Sequence, residues 1–299
     1  MSKEKTVGGT LLKIGIGVVL AIVLIVVALF LIAKYVLGID ILGAYSSLKK
    51  LGTTVNTETI ITYPYEKNDA MVNGLNNIFE LKTGETGIVS GGDGSVTIDY
   101  ERLESLFFDS DFELTDKQVA CILNASLNKY LSSASDASEL FDGLELCQIK
   151  FSEYQESGGK FKSVKINYVV KMSLSSIKGY MKSFPLTLFK NLLPNELYVS
   201  SDITLTKDNT GAWKYSLKAT NTTINNLDTE ATNKFVTSIA GILGLNEADE
   251  MGHSIGEIII DAVIGTPSKL GLGSGLLNAE DFTFKRANNT TYYVVKFNI

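Results

Sequence analysis

The sequence predicts an α+β protein in which an N-terminal transmembrane helix leads into a mainly antiparallel sheet of hairpins packed with several helices. Three observations predict it. Residues Ile14 to Ala33 run twenty positions without a charged or strongly polar side chain, and at 1.5 Å per residue that length covers the roughly 30 Å hydrocarbon core of a bilayer. Three later pairs of segments alternate apolar and polar residues around short turns, the period of half-buried strands. Between those pairs, apolar residues recur at three- and four-residue spacing, the period of helices with one buried face. Hairpins in runs with helices between them give α+β architecture.

The first element follows from length and flanks. A cleaved signal peptide has a shorter apolar region, about 7 to 15 residues, closed by small residues, and no such site follows here. Lys3, Lys5 and Lys13 before the stretch balance Lys34, Lys49 and Lys50 after it. Orientation therefore rests on the short tail staying inside while the long domain translocates. The expected organisation is a cytoplasmic tail at 1–13, a transmembrane helix at 14–36, a stalk and glycine-rich connecting region at 37–94, and an extracytoplasmic domain at 95–299. Of 27 basic and 33 acidic residues, six basic and two acidic ones precede residue 51, so the exported body is strongly acidic. Such a body is poorly suited to nucleic acid, whose phosphates must be neutralised.

The stretch Gly84 to Gly94 holds five glycines and reads as a loop or subdomain break. Thr115 and Gln118 have the spacing of a capping box and start a helix. Its residues Val119, Ala120, Ile122, Leu123, Leu127, Tyr130 and Leu131 share one half of the wheel, opposite Lys117, Asn124 and Asn128. One broad face should therefore pack on a sheet. Leu144 to Tyr154 is a strand, Glu156-Ser157-Gly158-Gly159 a turn, and Val164, Ile166, Tyr168, Val170, Met172 and Leu174 the buried face of the returning strand. A second hairpin turns at Asp208-Asn209-Thr210-Gly211 and a third at Asn288-Asn289. Between them, Phe235, Val236, Ile239, Ile242 and Leu243 form one helical stripe. Asn246 opens another helix, with Met251, Ile255, Ile258, Ile259 and Ala262 inward.

Tests for chemistry return no catalytic residue, no metal ligand and no cofactor site. The single histidine, His253, stands four residues from both Asp249 and Glu257, and the row reads as a solvated polar face. Ser175-x-x-Lys178 and Lys82-Thr83-Gly84 match two penicillin-binding motifs but in reversed order. Gly91-Gly92-Asp93-Gly94 lacks the lysine of a phosphate loop. Asp109, Asp111 and Glu113 lack the glycine and bidentate acid of a calcium loop, so both read as turns. Cys121 falls on the polar side of its helix while Cys147 is in phase with Ile149 and Phe151, which places the two thiols apart.

The run Leu114 to Leu131, LTDKQVACILNASLNKYL, is followed by long alternating strands and a connection from Phe184-Pro185-Leu186 to Leu193-Pro194. Over about residues 114–245 this organisation resembles the YpmS-type membrane-anchored proteins of Gram-positive bacteria. The resemblance implies an extracytoplasmic domain related to elongated lipid-binding folds in which a curved sheet wraps a helix. The expected function is that of a single-pass, non-enzymatic membrane-anchored envelope protein. In one version the body binds lipid or another amphipathic ligand in an apolar groove between sheet and helices, lined by Val164, Ile166, Tyr168, Val170 and Met172. In the alternative it is a scaffold or regulator that docks a membrane or envelope protein partner and has no cavity.

Overall fold

The centre of the molecule is the alternating segment around Tyr168, which pairs on both sides along most of its length. The structure is a computed structural model and describes residues 49–133, 143–180, 190–235, 248–264 and 277–297, apart from 54, 93, 192, 209 and 278. The stretch at 14–36, the tail before it, the stripe from Val236 to Leu243 and the Phe184-Pro185-Leu186 segment lie outside these residues. Among the described residues no helix is long and apolar enough to cross a membrane.

In chain order the elements are α1 (Thr57–Ile60), α2 (Asp69–Thr83), β1 (Val89–Gly92), β2 (Ser95–Ile98), α3 (Tyr100–Ser105), β3 (Phe112–Thr115) and α4 (Asp116–Ser133). Then follow β4 (Glu145–Ser157), β5 (Lys160–Ser173), α5 (Ser175–Tyr180), β6 (Glu196–Lys207), β7 (Tyr215–Ile224), α6 (Ala248–Ile264), β8 (Asp281–Ala287) and β9 (Thr290–Lys296). The strands form a four-stranded sheet in the order β4-β5-β6-β7, a three-stranded sheet β3-β9-β8 and the hairpin β1-β2, all antiparallel. The α+β expectation holds.

Turn chemistry sets the hairpins. Gly158 and Gly159 join β4 to β5, and Asn288 and Asn289 join β8 to β9, all four at positive φ. Two central residues in that region make the turn whose twist matches the flanking strands. The inner face of the large sheet then carries Ile149, Phe151, Val164, Ile166, Val170, Met172, Val199, Ile203 and Leu205, all buried. At its far end Phe284 of β8 meets Phe151 and Phe161, with ring centroids 5.1 Å away in each case. Lys207 reaches both carboxylate oxygens of Asp281 at 2.8 Å and so fastens the two sheets together.

Helix α6 lies on this inner face at glycine distance. A Cβ on Gly252 would stand 2.1 Å from Thr222 Oγ1, and one on Gly256 2.3 Å from Ile203 Cδ1. The closeness lets the fully buried Tyr168 hydroxyl donate to the Gly252 carbonyl at 2.9 Å. Of the expected inward stripe, Ile259 is buried and Ala262 half-buried, but the two glycines mark the closest approach. A hydropathy pattern passes over glycine, which has no side chain to score.

Several expectations are corrected. Helix α4 does start on the Thr115–Gln118 capping box, with Gln118 N–H donating to Thr115 Oγ1 at 3.2 Å and Thr115 N–H to Gln118 Oε1 at 2.9 Å. It is, however, buried on more than one face, Cys121, Asn124 and Ser126 included. The large sheet covers one flank, and α3 helps cover the other through the Tyr100 hydroxyl, which donates to Ile122 O at 3.1 Å. The glycine-rich stretch is no break: Gly84 caps α2 at φ 74°, and Val89–Gly92 pairs with Ser95–Ile98 as the β1-β2 hairpin. Asn76 of α2 ties that hairpin down through the backbone of Val89 at 2.7 and 2.9 Å. Leu51, Val72, Leu75 and Phe79 join the main core, so the part of 37–94 that the structure describes packs as body rather than stalk. Glu113 lies in β3, whose Phe112 and Leu114 are buried against β9, and the acidic run is a strand entry instead of a turn.

Helix side chains occupy backbone donors on both outer edges of the large sheet. On β4, Leu146 N–H donates to Asn124 Oδ1 at 3.0 Å and Phe151 N–H to Asp116 Oδ2 at 3.1 Å. On β7, Thr222 N–H donates to Asp249 Oδ1 at 3.1 Å. Asp249 is thus turned to the sheet, a correction to the solvated row expected beside His253.

The glycine contact makes a direct prediction. Gly252→Ala should destabilise the body by about 1–3 kcal/mol in denaturant unfolding, because overpacking outweighs the helix propensity gained. Gly179→Ala, also helical but with nothing within 4 Å of its Cβ among the described residues, should be neutral or slightly stabilising.

Candidate functional site

The residues that carry charge and hydrogen bonds in concert lie on the outer face of the large sheet, close to the first of the described residues. Residues 55–67 cross that face as a strap. Asn56 caps the single turn α1 by accepting from Glu58 N–H at 3.2 Å, and Val55, Ile60 and Ile61 pack on Cys147, Val169 and Tyr198. This is a second, small apolar cluster, separated from the main core by the sheet itself.

The strap is then held by polar contacts in sequence. Tyr63 N–H donates to Gln148 Oε1 at 2.7 Å, and the Tyr63 hydroxyl to Asp116 Oδ1 at 3.3 Å. The Tyr63 ring lies 4.7 Å from Lys117 Nζ and 5.4 Å from Lys150 Nζ, within cation–π range. Lys67 meets Glu145 at 2.6 Å, and Lys171 meets the other oxygen of the same carboxylate at 2.8 Å. The first residues described are anchored too, since Lys50 pairs with Asp228 at 3.3 Å and Asn226 donates to Thr53 Oγ1 at 2.9 Å.

From the strap a polar ladder runs across all four strands. Gln148, 1% exposed, donates from its other amide end to Asn167 Oδ1. Asn167 donates to Asp202 Oδ1 and Asn221 to Asp202 Oδ2, each at 2.9 Å. Two β-bulges aim these groups. The β4–β5 register shifts between Leu146 and Gln148, and the β6–β7 register between Ser200 and Asp202; an extra residue on one strand re-aims the side chains around it. At the first bulge Cys147 turns to the outer face, out of phase with Ile149 and Phe151. That corrects the expected alignment. At the second, Asn221 takes φ 57° while Thr222 is buried beneath Gly252.

Burial and charge pull the two central carboxylates in opposite directions. For Glu145, burial alone would raise the pKa, but the hydrogen bonds and charges of Lys171 and Lys67 outweigh it and leave the carboxyl below its ordinary value. For Asp116, burial wins over the hydrogen bonds from Phe151, Lys117 and Tyr63, and the carboxyl sits above its ordinary value. Burial also pushes Cys121 up to about 11 and Cys147 up to about 12, so both thiols stay protonated near neutral pH and are poor nucleophiles. Both cysteines are free. Tyr65 is buried, and its hydroxyl finds no hydrogen-bond partner among the described residues.

The expected groove residues lie on the opposite, inner face. Val164, Ile166, Tyr168, Val170 and Met172 are at most 2% exposed and belong to the main core, with Tyr168 beneath Gly252 and Gly256 of α6. His253 is also on that side, on α6. Among the described residues no group of three or more histidine, cysteine, aspartate or glutamate side chains is placed to hold a metal ion. Lys178 is bound to Asn195 Oδ1 at 2.8 Å and Lys82 to Ser110 Oγ at 2.6 Å, contacts unlike the shared catalytic site that the two penicillin-binding motifs would form. The outer-face constellation was not legible from sequence, because it depends on two bulges and on a strap without periodicity. No protein-family model matches the chain, and neither a curated protein nor a solved structure matches it.

The opposed carboxylates predict opposed pH effects. Glu145, with its lowered pKa, contributes stability that is present above the ordinary glutamate value and lost as pH falls through its folded pKa. Glu145→Gln should therefore cost about 1–3 kcal/mol at neutral pH and flatten the acid limb. Asp116, with its raised pKa, contributes most below the ordinary aspartate value, and that contribution declines as pH rises through its folded pKa. Asp116→Asn should remove this decline, so its stability relative to wild type rises with pH across that window. Denaturant unfolding from about pH 3 to 7 reads both slopes.

Proposed function

We propose that the chain is a single-pass membrane-anchored envelope protein whose extracytoplasmic body is a non-enzymatic scaffold, docking a membrane or envelope partner without a ligand cavity. The apolar run from Ile14 to Ala33 supports the anchor. The observation that carries the choice between scaffold and lipid binder is the filled inner face of the large sheet. A lipid lying along Val164 to Met172 would have to pass beneath α6 at Tyr168, break the Tyr168–Gly252 hydrogen bond and displace side chains that are now buried in the main core.

The outer face suits a docking role better. Beyond the strap it presents an ordered row of amides, hydroxyls and lysines, including the exposed Lys150 and Lys218, already braced by the ladder through Asp202. A rigid polar surface binds without the entropy cost of ordering loops.

The test uses full-length protein in its native membrane. Carbonate washing should leave it in the pellet, and protease added outside the cell should digest the body. Lipid analysis of the purified protein after detergent exchange should find no stoichiometric lipid. A photo-crosslinker at position 218 should give one discrete adduct, while the same group at Glu257 on α6 should give none. Release by carbonate would sink the anchor, and a stoichiometric lipid without any adduct at 218 would favour the groove.

A further inference from the structure

The strap covers one end of the outer sheet face, where it packs on Cys147, Val169 and Tyr198. The strands continue past it. Beside the row that holds Lys150, Asn167 and Asp202, the next row across all four strands is Ser152, Lys165, Thr204 and Lys218. Neither row carries an apolar side chain. A surface that recognises a folded protein centres on a buried apolar or aromatic anchor, and these rows offer charge and hydrogen bonds instead.

The charges there are unevenly matched. The carboxylates are engaged: Glu153 pairs with Lys165, each oxygen of Asp202 accepts from an asparagine amide, and Asp116 accepts from the Phe151 N–H and the Tyr63 hydroxyl. Three ammonium groups are not. Lys117, Lys150 and Lys218 have no ion-pair partner among the described residues, although acidic residues outnumber basic ones in the chain. Lys117 and Lys150 stand at 4.7 and 5.4 Å from the one Tyr63 ring, and Lys150 and Lys218 are exposed.

The strap shows what this face holds. Past α1 it is a non-helical stretch of polypeptide laid on the sheet, with a backbone N–H on a sheet amide at Tyr63–Gln148 and lysines on a carboxylate at Lys67–Glu145–Lys171. The uncovered rows repeat the amides and the lysines and lack only the carboxylates. Their hydroxyls, Thr204 and Thr220 among them, both donate and accept. A polypeptide backbone uses both capacities, whereas a phosphate group only accepts.

We infer that the uncovered rows hold a second stretch of polypeptide: an acidic, apolar-poor segment of the docked partner, lying beside the strap with its carboxylates on Lys117, Lys150 and Lys218. The inference deepens the docking reading above and rests on it. Lys150 on β4 and Lys218 on β7 are three strand spacings apart, about 14 Å, which an extended chain covers in about four residues. The segment pairs with side chains on the face, so it needs no free strand edge.

The experiment titrates full-length protein in detergent micelles into a fluorescein-labelled peptide with glutamate at every fourth position and serine or glycine between, followed by anisotropy at low salt. Saturable binding that weakens with salt is expected, and none with the glutamine version of the peptide. Lys150→Ala/Lys218→Ala should raise Kd about fivefold, while Lys296→Ala, exposed on the smaller sheet, should leave it unchanged. Absent binding, or binding indifferent to positions 150 and 218, overturns the inference; if the crosslinker at 218 still captures one discrete partner, the docking reading stands without it. Loss of that adduct removes the docking reading itself. Displacement of the peptide by oligomeric glycerol phosphate at concentrations below the peptide's Kd would make a phosphate polymer the occupant and overturn the inference as well.

Discussion

The contact on which the rest depends is the approach of α6 to the inner sheet face at Gly252 and Gly256. Tyr168 is buried at the centre of the longest strand, and a buried tyrosine hydroxyl needs an acceptor. The Gly252 carbonyl supplies one because the helix has no side chain at that point to keep it away. Ser201 and Thr222 then satisfy each other beneath the helix at 2.8 Å. With helix and sheet closed to this distance, the space between them is filled by packing.

The surface shows how one sheet can separate two kinds of chemistry. On the inner side alternation gives an apolar core; on the outer side the same strands carry Gln148, Asn167, Asp202 and Asn221 in a connected row, with Glu145 held separately between Lys67 and Lys171. Gln148 joins the row to the strap, taking a hydrogen bond from Tyr63 with one end of its amide and giving one to Asn167 with the other. Glu145 and Asp116 grip the strap from two directions, the first as a stable anion between two ammonium groups, the second as a desolvated carboxyl that satisfies backbone donors. The strap is thereby read by charge at one end and by burial at the other.

What the sequence could tell follows from what each feature leaves in it. Period-2 alternation and paired turn residues made β4 to β9 legible almost in full, and the Thr115–Gln118 spacing located the start of α4. A bulge adds a single residue and leaves no periodic trace, so Cys147 was placed on the wrong face and the Asp202 ladder was invisible. Asn124 looked like a solvent-facing position because its role, accepting from a strand edge, exists only once the strand is beside it. The apolar face of β5 was legible as an apolar face; whether a ligand or a helix covers such a face is decided by small residues elsewhere in the chain, here by glycines on α6.

The capped donors on the strand edges carry a further meaning wherever copies of this body are concentrated. A sheet with open flanks would recruit extended segments from neighbouring copies and grow into fibres, a hazard that rises as molecules are concentrated. Here Asn124 and Asp116 on one flank, and Asp249 on the other, occupy backbone donors that an invading chain would need. Binding by strand addition is closed off at those positions.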